Sequence, residues 1–181
     1  MMLQYARMNA PEVPVFQADV RQFGVRPVFD AVLSVFDSLN HLLSADDLVR
    51  CLCSAFESLR PGGFLFFDLN TESGYQLHWN GDYRSESDDH GVHAWWQYDP
   101  ETRFAHFYAM IARYDASDRT PDEVVLWQRC HSQLETRMAL ERAGFTIVEI
   151  YGLQGDGVMS GCLEGAERAF YLCRRPPSAV R

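Results

Sequence analysis

The chain has 181 residues, 47% of them hydrophobic, and 25 acidic against 16 basic side chains give a formal net charge of −9. That length suits one domain whose core needs neither disulfides nor metals. With no basic run long enough to follow a phosphate backbone, a nucleic-acid partner is not expected. Nor is a membrane, since no apolar stretch is long enough to span one and the N-terminus lacks the apolar centre of a secretory signal.

A cytoplasmic protein is therefore expected, and the cysteines agree. Cys51, Cys53, Cys130, Cys162 and Cys173 are odd in number, contain no CxxC and lie mostly in apolar segments, which reads as buried thiols.

Taken in chain order, Met2 to Asn9 has helical composition and ends before Ala10-Pro11, where proline discourages continuation. Val13 to Asp19 reads as a short strand, its proline suiting a sheet edge. Ala31 to Phe36 reads as a buried strand, followed by a polar turn from Asp37 to His41. Ser44 then offers a hydroxyl cap, and Asp46 and Asp47 complement the positive end of the helix that follows. Leu48, Leu52, Phe56 and Leu59 recur at spacings of four, four and three, one face of that helix.

Pro61-Gly62-Gly63 reads as a turn into a second buried strand, Phe64 to Asp68. Two apolar strands joined by one helix predict a right-handed parallel crossover, with ligands beyond the carboxyl ends of the strands. Asp37 and Asp68 both fall at those ends.

Glu72 to Gly91 is polar with scattered aromatics. Val92 to Tyr98, Phe104 to Tyr114 and Glu123 to Cys130 then read as strands, with a hairpin turn at Asp99-Pro100-Glu101-Thr102 and a longer polar link over 115–122. Ser132-Gln133-Leu134-Glu135 has a capping-box pattern, Leu134, Met138 and Leu140 supply apolar positions, and Gly144 is placed to close the helix. A strand from Phe145 to Tyr151, a glycine-rich link over 152–165 and a last strand from Arg168 to Cys173 complete the reading. The expected organisation is an α/β core from residues 1–74 and 132–175, an antiparallel β lobe inserted at 75–131, and a loose tail at 176–181.

Several of these pieces, in this order, resemble class I S-adenosylmethionine-dependent methyltransferases. Gln17-Ala18-Asp19-Val20 is similar to the family's acid-ended third strand, Phe29 to Asp37 to its fourth, Leu59 to Leu65 with the PGG turn to the step into its fifth, and Ala143-Gly144-Phe145 to the step into its sixth. The inserted lobe resembles that of methyltransferases acting on small molecules such as amino sugars or amines.

The resemblance implies a Rossmann-like sheet and S-adenosylmethionine as cofactor. Asp19 and Val20 would meet the adenine, and Phe36 and Asp37 the methionine end. Asn40 and His41 would face an unidentified small-molecule acceptor, methylated by in-line displacement; independently of the resemblance, Trp79 is a candidate wall of the acceptor pocket through cation–π contact. His41 is the candidate base, although methyl transfer can rest on positioning alone.

The family's opening strand, glycine-rich turn, helix and second strand have no counterpart before Val13, so the expected sheet is N-terminally truncated. A βαβ unit needs about 30 residues or more. A non-catalytic or truncated subunit that forms a homodimer through the lobe is the alternative expectation. No metal is expected, because His78, His90, His93, His106 and His131 show no ligand spacing.

Overall fold

The computed structural model describes residues 2–114, 120–161 and 163–178, so Cys162, much of the 115–122 link and the last three residues lie outside the described residues. After helix α1 (Met2–Asn9), strand β1 (Phe29–Ser34) leads through a 3-10 helix (Ser38–His41) and α2 (Ala45–Ser58) to β2 (Leu59–Asn70). Then follow α3 (Glu72–His78), β3 (Asn80–Glu86), β4 (His90–Asp99), β5 (Phe104–Arg113), β6 (Asp122–Arg129), α4 (Gln133–Ala143), β7 (Thr146–Gln154), β8 (Gly157–Ser160) and β9 (Arg168–Arg174).

Two sheets result. The first has the order β1-β2-β9-β7-β8, with β1 and β2 parallel and the other pairings antiparallel. The second is an antiparallel meander, β3-β4-β5-β6. The parallel crossover read from the sequence is present, and so are its three lobe strands.

The helices form where their caps and periodicity put them. Ser44 Oγ accepts the Asp47 amide at 3.0 Å, and α2 buries Leu48, Cys51, Leu52 and Ala55. At α4 the capping box is complete, and Gly144 closes the helix at φ +91, a conformation that costs a residue without Cβ little. These helices pack on one face of the first sheet against Leu65, Phe67, Leu69 and Tyr171. Full burial of each large apolar side chain contributes about 1.5–3 kcal/mol. On the opposite face Leu33 and Phe64 remain 69% and 40% exposed.

Four expectations are corrected. Val13 to Asp19 is not a strand; only an isolated bridge between Asp19 and Gln22 forms there, because no strand among the described residues lies alongside to pair with it. Pro61-Gly62-Gly63 belongs to β2 itself, where Gly62 at φ +86 carries a register shift against β1. Leu134 and Met138 face solvent at 68% and 54% exposure, and Thr136, Ala139, Leu140 and Ala143 supply the buried side of α4. The polar stretch after Asn70 holds α3 and β3, and the glycine-rich link holds β8, a hairpin partner of β7.

Candidate active site

The carboxyl ends of β1 and β2 are tied together by charge. Asp68, fully buried, accepts the Asp37 amide at 3.1 Å on Oδ2, and the same oxygen is hydrogen-bonded by Arg168 Nη1 from the start of β9. Arg168 Nη2 reaches Asp37 Oδ1 at 3.2 Å, and Gln128 Nε2, from the lobe strand β6, donates to Asp37 Oδ2 at 2.6 Å. Two carboxylates thus share one guanidinium. The other Asp68 oxygen, Oδ1, is buried with no hydrogen-bond partner among the described residues.

This bonding supports an unusual turn. Phe36 and Asp37 both have left-handed backbone, φ 60 and 48, which costs a non-glycine residue of order 1–3 kcal/mol. The turn presents Phe36 outward, 82% exposed. Phe36 is therefore neither core nor covered by any part of the described chain, whereas Asp37 is anchored on both carboxylate oxygens.

The next residues brace the two sheets. Asn40 is buried, its amide donating to the Arg129 carbonyl at 2.9 Å while its oxygen accepts the Asn70 amide at 3.0 Å. His41 has Nδ1 2.9 Å from the Trp127 carbonyl and Nε2 3.2 Å from Gln128 Nε2. Since a carbonyl only accepts and an amide nitrogen only donates, the compatible tautomer is neutral with its proton on Nδ1. Tyr75 Oη donates to Gln128 Oε1 at 2.8 Å, which fixes that amide's orientation. Burial pushes the Tyr75 phenol well above its ordinary range.

Asp37 and Trp79 meet in one crevice of about 380 Å³, which Asn70, His78, Glu167 and Arg168 also line. Trp79 is held there by Tyr75, 5.3 Å between ring centroids. Asp19 and Val20 lie on the loop before β1. Asp19 is bound by both Nε and Nη2 of Arg21, which holds its carboxyl far below the usual range, and Arg21 also reaches Asp47 in the first turn of α2 at 3.3 Å.

Of the residues the sequence singled out as candidates, Asp37 and Trp79 line this crevice; Arg168, His78 and Glu167, and the Gln128 amide bonded to Asp37, were not among them. The run ending in Asp68 carried the one available signal, an acid closing an apolar strand.

A second cavity, of about 330 Å³, is lined by Glu72, Arg103, His131 and Ser132 among others. His131 is buried with Nε2 2.8 Å from the Leu42 carbonyl and Nδ1 unpartnered among the described residues. Burial lowers its pKa to about 4. A histidine kept neutral in the fold but protonated when unfolded makes stability fall as pH drops below about 6.5, until the folded form also binds the proton near pH 4. The full effect is about 3 kcal/mol. Denaturant titrations of wild type and His131→Gln over that range measure it; the variant's stability should vary less with pH.

An α/β sheet with a charged, crevice-forming end and an antiparallel lobe is the Rossmann-like architecture expected from the sequence, and known proteins share it. A methyltransferase-domain model matches residues 1–67. The dTDP-3-amino-3,4,6-trideoxy-alpha-D-glucopyranose N,N-dimethyltransferase of Streptomyces venezuelae is 37% identical over 62 residues, 34% of this chain and 26% of that one. The matched stretch thus spans about a quarter of that relative's length. An S-adenosylmethionine-dependent methyltransferase from Clostridium acetobutylicum superposes with a TM-score of 0.77 at 19% identity, covering 97% of this chain and 71% of that one. CalS10, an amino pentose methyltransferase from Micromonospora echinaspora solved with S-adenosylmethionine bound, gives 0.67 at 19% identity over 96% and 70%. The chain carries the fold of class I S-adenosylmethionine-dependent methyltransferases, and its first 67 residues match the methyltransferase-domain model.

Proposed function

We propose that the protein transfers a methyl group from S-adenosylmethionine to a small-molecule amine. Phe36 and Asp37, at the carboxyl end of β1, would hold the cofactor's methionine end, and Asp19 and Val20 its adenine. The acceptor enters the crevice beside Trp79. The hub of Asp37, Asp68 and Arg168 carries this reading: two anions against one cation leave a net negative charge that a sulfonium complements, and the left-handed turn it supports holds an exposed aromatic ring where that sulfonium would lie. Cofactor chemistry supplies the electrophilic methyl; the chain binds, orients and excludes water.

Asn40 acts as a brace on this reading, and His41 positions Gln128 and through it Asp37. An amine fits a crevice with two carboxylates and an indole, and the amino-sugar relatives point the same way. A cytoplasmic location and the absence of a nucleic-acid partner are part of the same proposal.

A second reading, a non-catalytic subunit dimerising through the lobe, is favoured by one observation. Val125 and Trp127 on the outer sheet face are about half exposed, beside the ring contacts of Trp95 with Tyr108 and of His106 with Trp127.

Mass spectrometry decides between the two. Incubating the intact protein with S-adenosylmethionine and a panel of amines that includes the amino sugar acted on by the Streptomyces venezuelae relative should give a 14-dalton mass gain on one acceptor. A stable dimer by light scattering with no methylated product would favour the second reading.

A further inference from the structure

His78 closes α3, and its Nε2 lies 2.7 Å from Glu167 Oε2. The Glu167 carboxylate and the His78 backbone are both anchored. Glu167 Oε1 accepts the Gly155 amide at 3.0 Å, and the His78 carbonyl accepts Trp96 Nε1–H at 2.8 Å. The start of α3 is pinned by Thr71, whose hydroxyl caps the Gly74 amide at 3.2 Å and donates to the Ala166 carbonyl. Because a carboxylate only accepts, the ring nitrogen facing Glu167 carries a proton, so in the neutral ring the lone pair is on Nδ1.

Both residues line the crevice that holds Asp37, Trp79 and Arg168. The charged groups that share this crevice with His78 are Glu167, bonded to the ring, and Arg168 from the β9 end and Asp37 from the β1 end. From the lobe, the neighbour at its backbone is the uncharged Trp96. The His78 side chain is 60% exposed and that of Glu167 24%, so the ring can exchange protons with water while its partner stays fixed.

We propose that His78, oriented by Glu167, is the general base for the amine acceptor, an inference that rests on the methyl-transfer reading. At neutral pH an alkylamine is mainly an ammonium ion without a free lone pair. One proton passes from the ammonium to His78 Nδ1, and the released lone pair forms the nitrogen–carbon bond to the sulfonium methyl. The carbon–sulfur bond breaks with its electron pair going to sulfur, which becomes a neutral thioether. Ammonium and sulfonium before the step become imidazolium and methylated ammonium after it. His41, bonded at both ring nitrogens, cannot take this role without giving up its contact with Gln128.

Two measurements test it on the intact protein. Ring nitrogen-15 NMR at pH 8 should place the His78 proton on Nε2; a proton on Nδ1 overturns the assignment whatever the acceptor. With the amine that the wild type methylates, His78→Ala should lower kcat at pH 7 by about 10²–10⁴-fold, with activity recovering toward the pKa of the amine itself. Glu167→Gln should lower it less and shift the pH profile, and S-adenosylhomocysteine binding by calorimetry should be unchanged in both variants. Unchanged turnover and pH profile in His78→Ala, or a wild type that methylates no amine, overturns the role of His78. A wild type that fails to bind S-adenosylhomocysteine overturns the methyl-transfer reading instead.

Discussion

Arg168→Met is expected to lower the unfolding free energy by about 3–5 kcal/mol, because it leaves the Asp68 carboxylate buried without its cation. At roughly 2–4 °C per kcal/mol for a chain of this size, the melting temperature should fall by roughly 6–20 °C. The cost comes from Asp68 rather than Asp37, since Asp68 is fully buried and Asp37 keeps about a fifth of its side-chain exposure and the Gln128 amide. Asp37→Asn should therefore cost much less. The double variant Arg168→Met with Asp68→Leu should recover at least half of the loss, limited by the Asp37 amide that Asp68 also accepts. Differential scanning calorimetry of the four proteins measures the set; a double variant no more stable than Arg168→Met would show that the buried charge is not the source of the loss.

Gly74→Ala should also have a large effect, through geometry. A Cβ built on Gly74 would sit 2.0 Å from the Glu167 carbonyl oxygen, backbone against backbone, so α3 or the segment before β9 must move. Overpacking of this kind costs about 1–3 kcal/mol or more. Its functional effect should exceed its effect on stability, because α3 carries His78 and leads into Trp79, both crevice residues, and a displacement of about 1 Å can cost about 100-fold in rate. Turnover with an accepted amine, measured well below the melting temperature, should fall far more than the folded fraction. Equal falls would show that the close approach serves folding alone.

What the sequence revealed follows from how local each signal is. Ser44, the Ser132 to Glu135 box and Gly144 act within one turn of their helices, and all appear where the residues placed them. The strand β3 was invisible because nearly all its residues are exposed, which leaves no alternation to read. The PGG step misled because Pro-Gly pairs usually mark loops, whereas here the positive φ of Gly62 serves a strand irregularity.

The site divides the same way. Asp37 and Asp68 were legible as acids closing apolar strands, but Arg168 is 100 residues from Asp68 and Gln128 is 91 from Asp37. No spacing in one sequence announces pairings at that separation. Phe36 was readable as a strand-end aromatic, while its left-handed backbone was not, since Phe rarely adopts one.

The proposed cofactor site at the carboxyl ends of β1 and β2 is open to a direct test, calorimetric titration of S-adenosylhomocysteine into the protein. The expected result is saturable binding by the wild type, weakened at least about tenfold, or about 1.4 kcal/mol, in Asp37→Ala. A folded wild type that shows no binding, or an Asp37→Ala variant that binds as tightly as the wild type, would contradict it.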